Sequence, residues 1–328
     1  MLATYRHCYA LAGLLMLSAV SDGRAQGASY PAKPVQIIAD SAAGSSPDVA
    51  LRFVAERLTQ IWGQQILVVN KPGAGGSVAA RAAAEAAPDG YTLYQPVLST
   101  FVSLHPAAPN VPLHVPKDFL PIGFVAENPM FIAVAPSLGV SSLAEFIALA
   151  KKKPGEVSYA TTGVGRLTHL TGELLQHEAK MKLLLVPYTG GPSHAVGDVA
   201  TGRVSAVIEG YSGIAGAARA GSIKLIAVAS AKRLPQFPDV PTVAETIPNF
   251  RATGWAVLVA PAGTPDAIIK KVSADLLKVT SEPELAQKLG NLGAYPSPML
   301  AADAEQFIHK QQQTWQPVLD EIAKGQKR

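Results

Sequence analysis

The chain has 328 residues, 48% hydrophobic and 16% charged, with a formal net charge of +4, the make-up of a soluble globular protein of one large or two medium domains. The basic excess is diffuse: no Lys/Arg cluster interleaves with aromatics, and the densest run, Lys151-Lys152-Lys153, closes a predicted helix where cations suit the dipole, so nucleic acid is excluded as a partner. The one cysteine, Cys8, rules out a disulfide scaffold and leaves stability to the core.

Residues 1–25 form the first element. Arg6 and His7 precede the apolar run YALAGLLMLSAV, and Gly23-Arg24-Ala25 supplies small residues at the minus-three and minus-one positions of a cleavage site. This pattern predicts a signal peptide cut near Ala25 and an exported, periplasmic protein, since the apolar run is too short to span a bilayer. Arg6-His7 before Cys8 lacks the small and aliphatic residues of a lipid-attachment site.

VQIIA, residues 35–39, reads as a buried strand, and residues 48–61 carry apolar side chains at helical spacing with Asp48 placed as N-cap. QILVVN at 65–70 is a second strand, KPGAGG at 71–76 a turn, residues 77–87 a helix and YTLY at 91–94 a third strand. This β-α-β-α-β order predicts a parallel sheet covered by helices. The plan recurs: FIAVA at 131–135 is a strand, and Ser142-Leu143-Ala144-Glu145 is a capping box opening a helix to Lys153. VSYA (157–160), LLLVPY (183–188), SAVIE (205–209) and LIAVAS (225–230) follow as strands with short helices between them. After a proline-rich passage at 235–248 comes an apolar stretch at 254–265. Helices then fill 265–280, a short segment after Pro283, and 302–324, where Pro317 is placed to bend the last one.

Motifs for catalysis and nucleotide binding are missing. The glycine runs at 73–78 and 163–168 lack the third glycine of a dinucleotide fingerprint, and neither a P-loop nor a Gly-x-Ser-x-Gly elbow occurs. The six histidines outside the leader, His105, His114, His169, His177, His194 and His309, show no metal-ligand spacing, and His169 reads as a helix-surface or packing residue. No cofactor, metal or catalytic residue is expected. What recurs is a strand ending in small and hydroxyl residues and then a helix start, at SAAGSSPD (41–48), LSTF (98–101), TTGVGR (161–166) and, with an acid, EGYSG (209–213). Each alone is an ordinary capped turn. Four together point to a site, because ligands of open α/β sheets bind outside the carboxyl ends of the strands and helix N-termini there favour a small anion.

The succession YPAKPVQII (30–38), AAGSSPDVALR (42–52), WGQQILVVNKPGAGG (62–76) and AAPDGYTL (86–93) resembles the tripartite tricarboxylate transporter substrate-binding proteins, the Bug family. The similarity runs collinearly through PKDFLPIGFVAENP (116–129), SYATTGVGRLTHLTGELL (158–175), VPYTGG (186–191), SAKRLPQFPDVPTVAE (230–245) and APAGTP (260–265). It implies an α/β, two-lobed periplasmic binding protein, type II-like, each lobe a mixed, mostly parallel sheet flanked by helices. Residues 30–125 with 255–328 would form the first lobe and residues 126–254 the second. It further implies a monomer that closes on a small carboxylate and passes it to inner-membrane transporter subunits. By the resemblance, the ligand's carboxylate would sit against residues 42–48, with Gly44, Ser45, Ser46 and Asp48, against Ser99-Thr100, and against residues 161–165, with Thr161, Thr162, Gly163 and Gly165. Glu209 would lie across the cleft.

This chain departs from the family pattern at two points. Asp40-Ser41 and Gly44-Ser45 stand where relatives often have Pro-Phe and Gly-Gly, so an apolar wall is lost and the Ser41 hydroxyl gained. Arg166-Leu167 stands where serines are common, and Arg166 is a candidate for a second ligand carboxylate, with solvent, Glu173 or Glu209 as its alternatives. Two other readings use the same residues: a receptor passing ligand occupancy to a sensor kinase, or an exported hydrolase or isomerase with Asp48, Glu209 or His169 as acid or base.

Overall fold

The computed structural model describes residues 30–104, 111 and 113–326; the expected leader with Cys8, and His105, lie outside the described residues. Strand β1 (Val35–Ala39) pairs in parallel with β2 (Ile66–Asn70) on one side and β3 (Thr92–Gln95) on the other. Its apolar residues serve two cores at once. Val35, Ile37 and Ala39 face one cluster and Ile38 the opposite one, the period-two alternation of a strand covered on both faces. Helix α1 (Ser46–Trp62) lays Leu51, Val54 and Leu58 on the first of these faces and stops at Gly63, whose left-handed backbone returns its N–H to Thr59. Helix α2 (Ser77–Ala84) covers the other face with Ala79, Ala80 and Ala83.

The main departure from expectation is β4 (Phe119–Val134), a 16-residue strand of which the sequence pattern showed only the last quarter. Pro121, Gly123 and Pro129 disguise it. Proline and glycine are tolerated in a strand beside irregular pairing, and the ladder of β4 with β9 (Thr253–Pro261) shifts register between Pro121 and Gly123 and again between Phe124 and Ala126. Over residues 119–129 β4 pairs with β9; over 130–134 it pairs with β7 (Ala206–Gly210) and β8 (Lys224–Val228). It therefore joins both halves into one path, β2-β1-β3-β9-β4-β7-β5-β6, with β8 also on β4. The second half repeats the parallel plan: β5 (Ser158–Thr161) lies between β6 (Leu184–Pro187) and β7, both parallel to it.

Helices α3 (Leu143–Lys152), α4 (Leu167–Ala179), α5 (Pro192–Ala200) and α6 (Tyr211–Arg219) flank this half, and α7 (Asp266–Thr280), α8 (Pro283–Gly290) and α9 (Ala301–Gln326) complete the chain. At α3 half of the expected capping box forms: Ser142 accepts from the Glu145 N–H, whereas the Glu145 carboxylate takes the N–H of Ser141 rather than that of Ser142. Helix α9 continues through Pro317. Among the described residues no helix is long and apolar enough to cross a membrane.

Candidate ligand-binding site

The carboxyl ends of β1, β3, β5 and β7 open on one cavity of about 360 Å³. Ser41, Ser45, Ser99, Thr162, Gly163, Arg166 and Glu209 line it, as does Asp40. Two helices point their N-termini towards it, and neither is capped by a side chain. The N-cap of α1 is Ser45, whose hydroxyl donates instead to the Ala42 carbonyl at 2.7 Å; the N-cap of α4 is Arg166. The positive end of α4 thus has no acid of its own, whereas Asp48 in the first turn of α1 partly offsets that helix's positive end.

The first junction is braced from behind. Asp48 lies in the first turn of α1, is almost fully buried, and accepts from the Gly44 N–H at 2.9 Å, Arg52 Nε at 3.0 Å and Asn70 Nδ2 at 2.7 Å. Asn70 also donates to the Ser41 carbonyl. Asp48 is therefore neither the N-cap nor a lining residue: a carboxylate surrounded by three donors organises the loop that presents Ser41 and Ser45. Gly44 supplies a left-handed turn of that loop and does not line the cavity. Ser46 turns away to share a 2.7 Å hydrogen bond with Ser212 on α6.

The second junction is braced by hydroxyls. Thr168 Oγ1 meets Thr161 Oγ1 at 2.5 Å and takes the Thr162 N–H at 3.2 Å. Thr161 is consumed by this bond and, like Gly165, lies outside the lining, while Thr168 itself lines the cavity. His169 is buried rather than on a helix surface, accepts from the Gly165 N–H at Nδ1 and is held below the ordinary histidine range by burial.

Asp40 and Arg166 meet across the cavity. The Asp40 carboxylate accepts from Tyr94 Oη at 3.1 Å and from Thr100 Oγ1, and its other oxygen faces Arg166 Nη2 at 3.3 Å. Arg166 Nη1 reaches the Gly75 carbonyl at 3.3 Å. Thr100 is thereby turned onto Asp40 and away from the lining. Arg166 faces inward, to a partner absent from the set of solvent, Glu173 and Glu209. The turn at 71–76 fits closely here: Gly76 has φ +111°, and a Cβ on it would stand 2.6 Å from Thr100 Oγ1, so the position requires glycine.

Glu209, at the end of β7, is buried. Burial pushes its carboxyl up to about 7 against the opposing pull of the Gly210 N–H, Thr162 and Arg166. One of its oxygens accepts from the Gly210 N–H at 2.9 Å. The other has no partner, nor do Ser41 Oγ, Ser99 Oγ and Asn128 Oδ1. All four belong to lining residues, and they make up all but one of the buried, unpartnered side-chain polar atoms among the described residues. A buried polar group left unpaired costs about 1–3 kcal/mol, so their concentration on one cavity marks where an outside molecule completes the hydrogen bonding.

Sequence reasoning missed Asn128 and Met130 on β4, Trp255 on β9, Thr168, and the turn residues Pro72 to Gly75 as part of the wall. The sole signal for Asn128 was a polar residue between Glu127 and the apolar run from Met130, because a side chain in mid-strand carries no loop signature.

Comparison with known proteins gives the family and the fold. Residues 50–324 match the family model described as the tripartite tricarboxylate transporter family receptor. Protein BugT of Bordetella pertussis is 32% identical over 315 residues, covering 95% of this chain and 96% of BugT. The structure of the periplasmic binding protein BugD superposes with a TM-score of 0.82 at 29% identity, over 90% of this chain and 99% of that one. The structure of R. palustris Rpa4515 with adipate gives 0.85 at 27% identity, over 90% and 98%. The fold is thus the mixed α/β fold of periplasmic binding proteins, and the chain belongs to the tripartite tricarboxylate transporter receptor family.

Proposed function

We propose that this chain is a periplasmic solute-binding protein that captures a small organic carboxylate between two lobes, residues 30–125 with 255–328 and residues 126–254, and delivers it to a tripartite tricarboxylate-type membrane transporter. The observation that carries the reading is the coincidence on one cavity of two uncapped helix N-termini and four buried polar atoms without partners. Helix N-termini and serine hydroxyls suit a carboxylate. Val97, Leu98, Met130, Leu167 and Trp255 give the remaining wall an apolar surface for the rest of the molecule. A relative of the same fold holds adipate.

Closure belongs to the same proposal. Arg166 to Asp40, Arg166 to Gly75 and Ser46 to Ser212 join the two sides, so a ligand touching both sides favours the closed arrangement by its differential affinity. Catalysis is not part of it: Asp48 is spent on its own loop, His169 does not line the cavity, and the second acid that shares the cavity with Glu209, Asp40, is engaged by Tyr94, Thr100 and Arg166. The test is a thermal-shift screen of monocarboxylates, dicarboxylates, amino acids and aromatic acids on the mature protein. A binder at 100 times its dissociation constant is expected to stabilise by about 2.7 kcal/mol. If no organic acid moves the melting curve while an ester or amide is turned over, the proposal fails.

A further inference from the structure

The cavity lining contains three titratable side chains, Asp40, Arg166 and Glu209. The single cation is engaged. Arg166 Nη2 lies 3.3 Å from Asp40 Oδ1, and Nη1 lies 3.3 Å from the Gly75 carbonyl. The acid it faces is built in: the Asp40 side chain is fully buried and is held by Tyr94 and Thr100 from its own side of the sheet, so it does not swing away to free the arginine. Asp40 and Arg166 therefore cancel, and Glu209 adds a third group that is neutral or negative. Ser41, Ser99 and the two helix N-termini can accommodate one carboxylate. A second would find no uncompensated positive charge and would sit in a poorly solvated space shared with Asp40 and Glu209.

We infer that Asp40, acting through Arg166, sets the charge class of the ligand, so that the cavity selects monocarboxylates over dicarboxylates of the same skeleton. This deepens the carboxylate-binding reading and rests on it. Asp40 is here a specificity-determining residue that need not touch the ligand: it removes the positive charge that a second carboxylate would use. The proposal also assigns Arg166 a different part from the one its residue type suggests, since an arginine in an anion site otherwise reads as the partner of the anion. The buried, unpartnered Oδ1 of Asn128 fits the same assignment, because it offers the ligand a neutral acceptor rather than a cation.

The experiment is calorimetry on the mature protein with three matched pairs, butyrate with succinate, hexanoate with adipate and benzoate with phthalate. If the acid found by the thermal-shift screen lies outside these pairs, it and its counterpart with one carboxylate more or fewer form a fourth. The monocarboxylate of each binding pair is expected to bind at least about tenfold more tightly, a difference of about 1.4 kcal/mol. In Asp40→Asn, which leaves Arg166 uncompensated, the preference is expected to fall about tenfold or to reverse. In Arg166→Gln, which leaves Asp40 uncompensated and does not depend on the folding of the Asp40 variant, both members weaken and the dicarboxylate weakens more. A wild-type preference for the dicarboxylate overturns the inference. So does an unchanged ratio in a folded Asp40→Asn protein, or an equal loss for both members in Arg166→Gln. Binding of no organic acid counts instead against the carboxylate reading itself.

Discussion

The junction after β1 and the junction after β5 follow one local plan: a strand ends, small residues turn the chain, and a helix starts without a side-chain cap. They are stiffened by different chemistry. In the first, a buried carboxylate, Asp48, gathers a loop N–H, Arg52 and Asn70. In the second, one hydroxyl, Thr168, holds Thr161 and Thr162. Charge-assisted hydrogen bonds are the stronger, so the first loop is set almost independently of what fills the cavity. The second has Gly163 and Gly165 at positive φ and neutral bonds, and it carries the arginine that crosses to the other side. The comparison suggests a firm wall and a compliant one.

Substitutions on either side can break that contrast. Asp48→Ala is expected to have the largest effect, a loss of about 4 kcal/mol in chemical denaturation, because it strands the Gly44 N–H and the Asn70 amide where three donors met one carboxylate. A loss below about 1 kcal/mol would remove the basis for calling this wall the firm one.

Glu209→Gln comes next and depends on pH. The Glu209 carboxyl is raised from 4.5 to about 7, so the folded state holds a proton that the unfolded chain has released between those values. Its contribution to stability is fully present below pH 4.5, falls as pH rises, and levels off above pH 7 at a cost of about 3 kcal/mol. The glutamine variant should therefore outlast the wild type by about that amount at pH 8, with the difference vanishing near pH 4.5. A gap of constant size at the two pH values would show that burial does not raise this group.

Thr168→Val, which keeps the shape and deletes the hydroxyl, should cost least, about 2 kcal/mol by the same denaturation measurement, since it strands the Thr162 N–H and leaves Thr161 Oγ1 only its long bond to the Gly163 carbonyl. Should it match or exceed Asp48→Ala, the two walls are equally firm and the contrast dissolves.

Much of this site was legible before any coordinates. Ser41, Ser45, Ser99, Thr162, Gly163, Arg166 and Glu209 were marked as junction or resemblance residues and all line one cavity. Gly44, Ser46, Asp48, Thr100, Thr161 and Gly165 were marked too, and they lie behind the lining as braces. The two groups are the same residue types in the same loops. Small and hydroxyl residues either face a ligand or tie a turn, and the choice depends on a single peptide's rotation. The strand β4 was legible only at its end, since Pro121, Gly123 and Pro129 interrupt the apolar pattern that betrays a strand. Asn128 was lost with it.

The sequence by itself determined the local elements and their order. Apolar runs such as VQIIA, helical spacing in residues 48–61 and the glycine turn at 71–76 are physical instructions that act over a few residues. Its collinear motifs also pointed to the family. The tertiary structure alone decided which side chains face each other across the cavity. Asp40 and Arg166 stand 126 positions apart, and no pattern of local period couples such positions. They meet because β4 and β9 carry the chain across both halves of the sheet and bring the ends of β1 and β5 to the same opening.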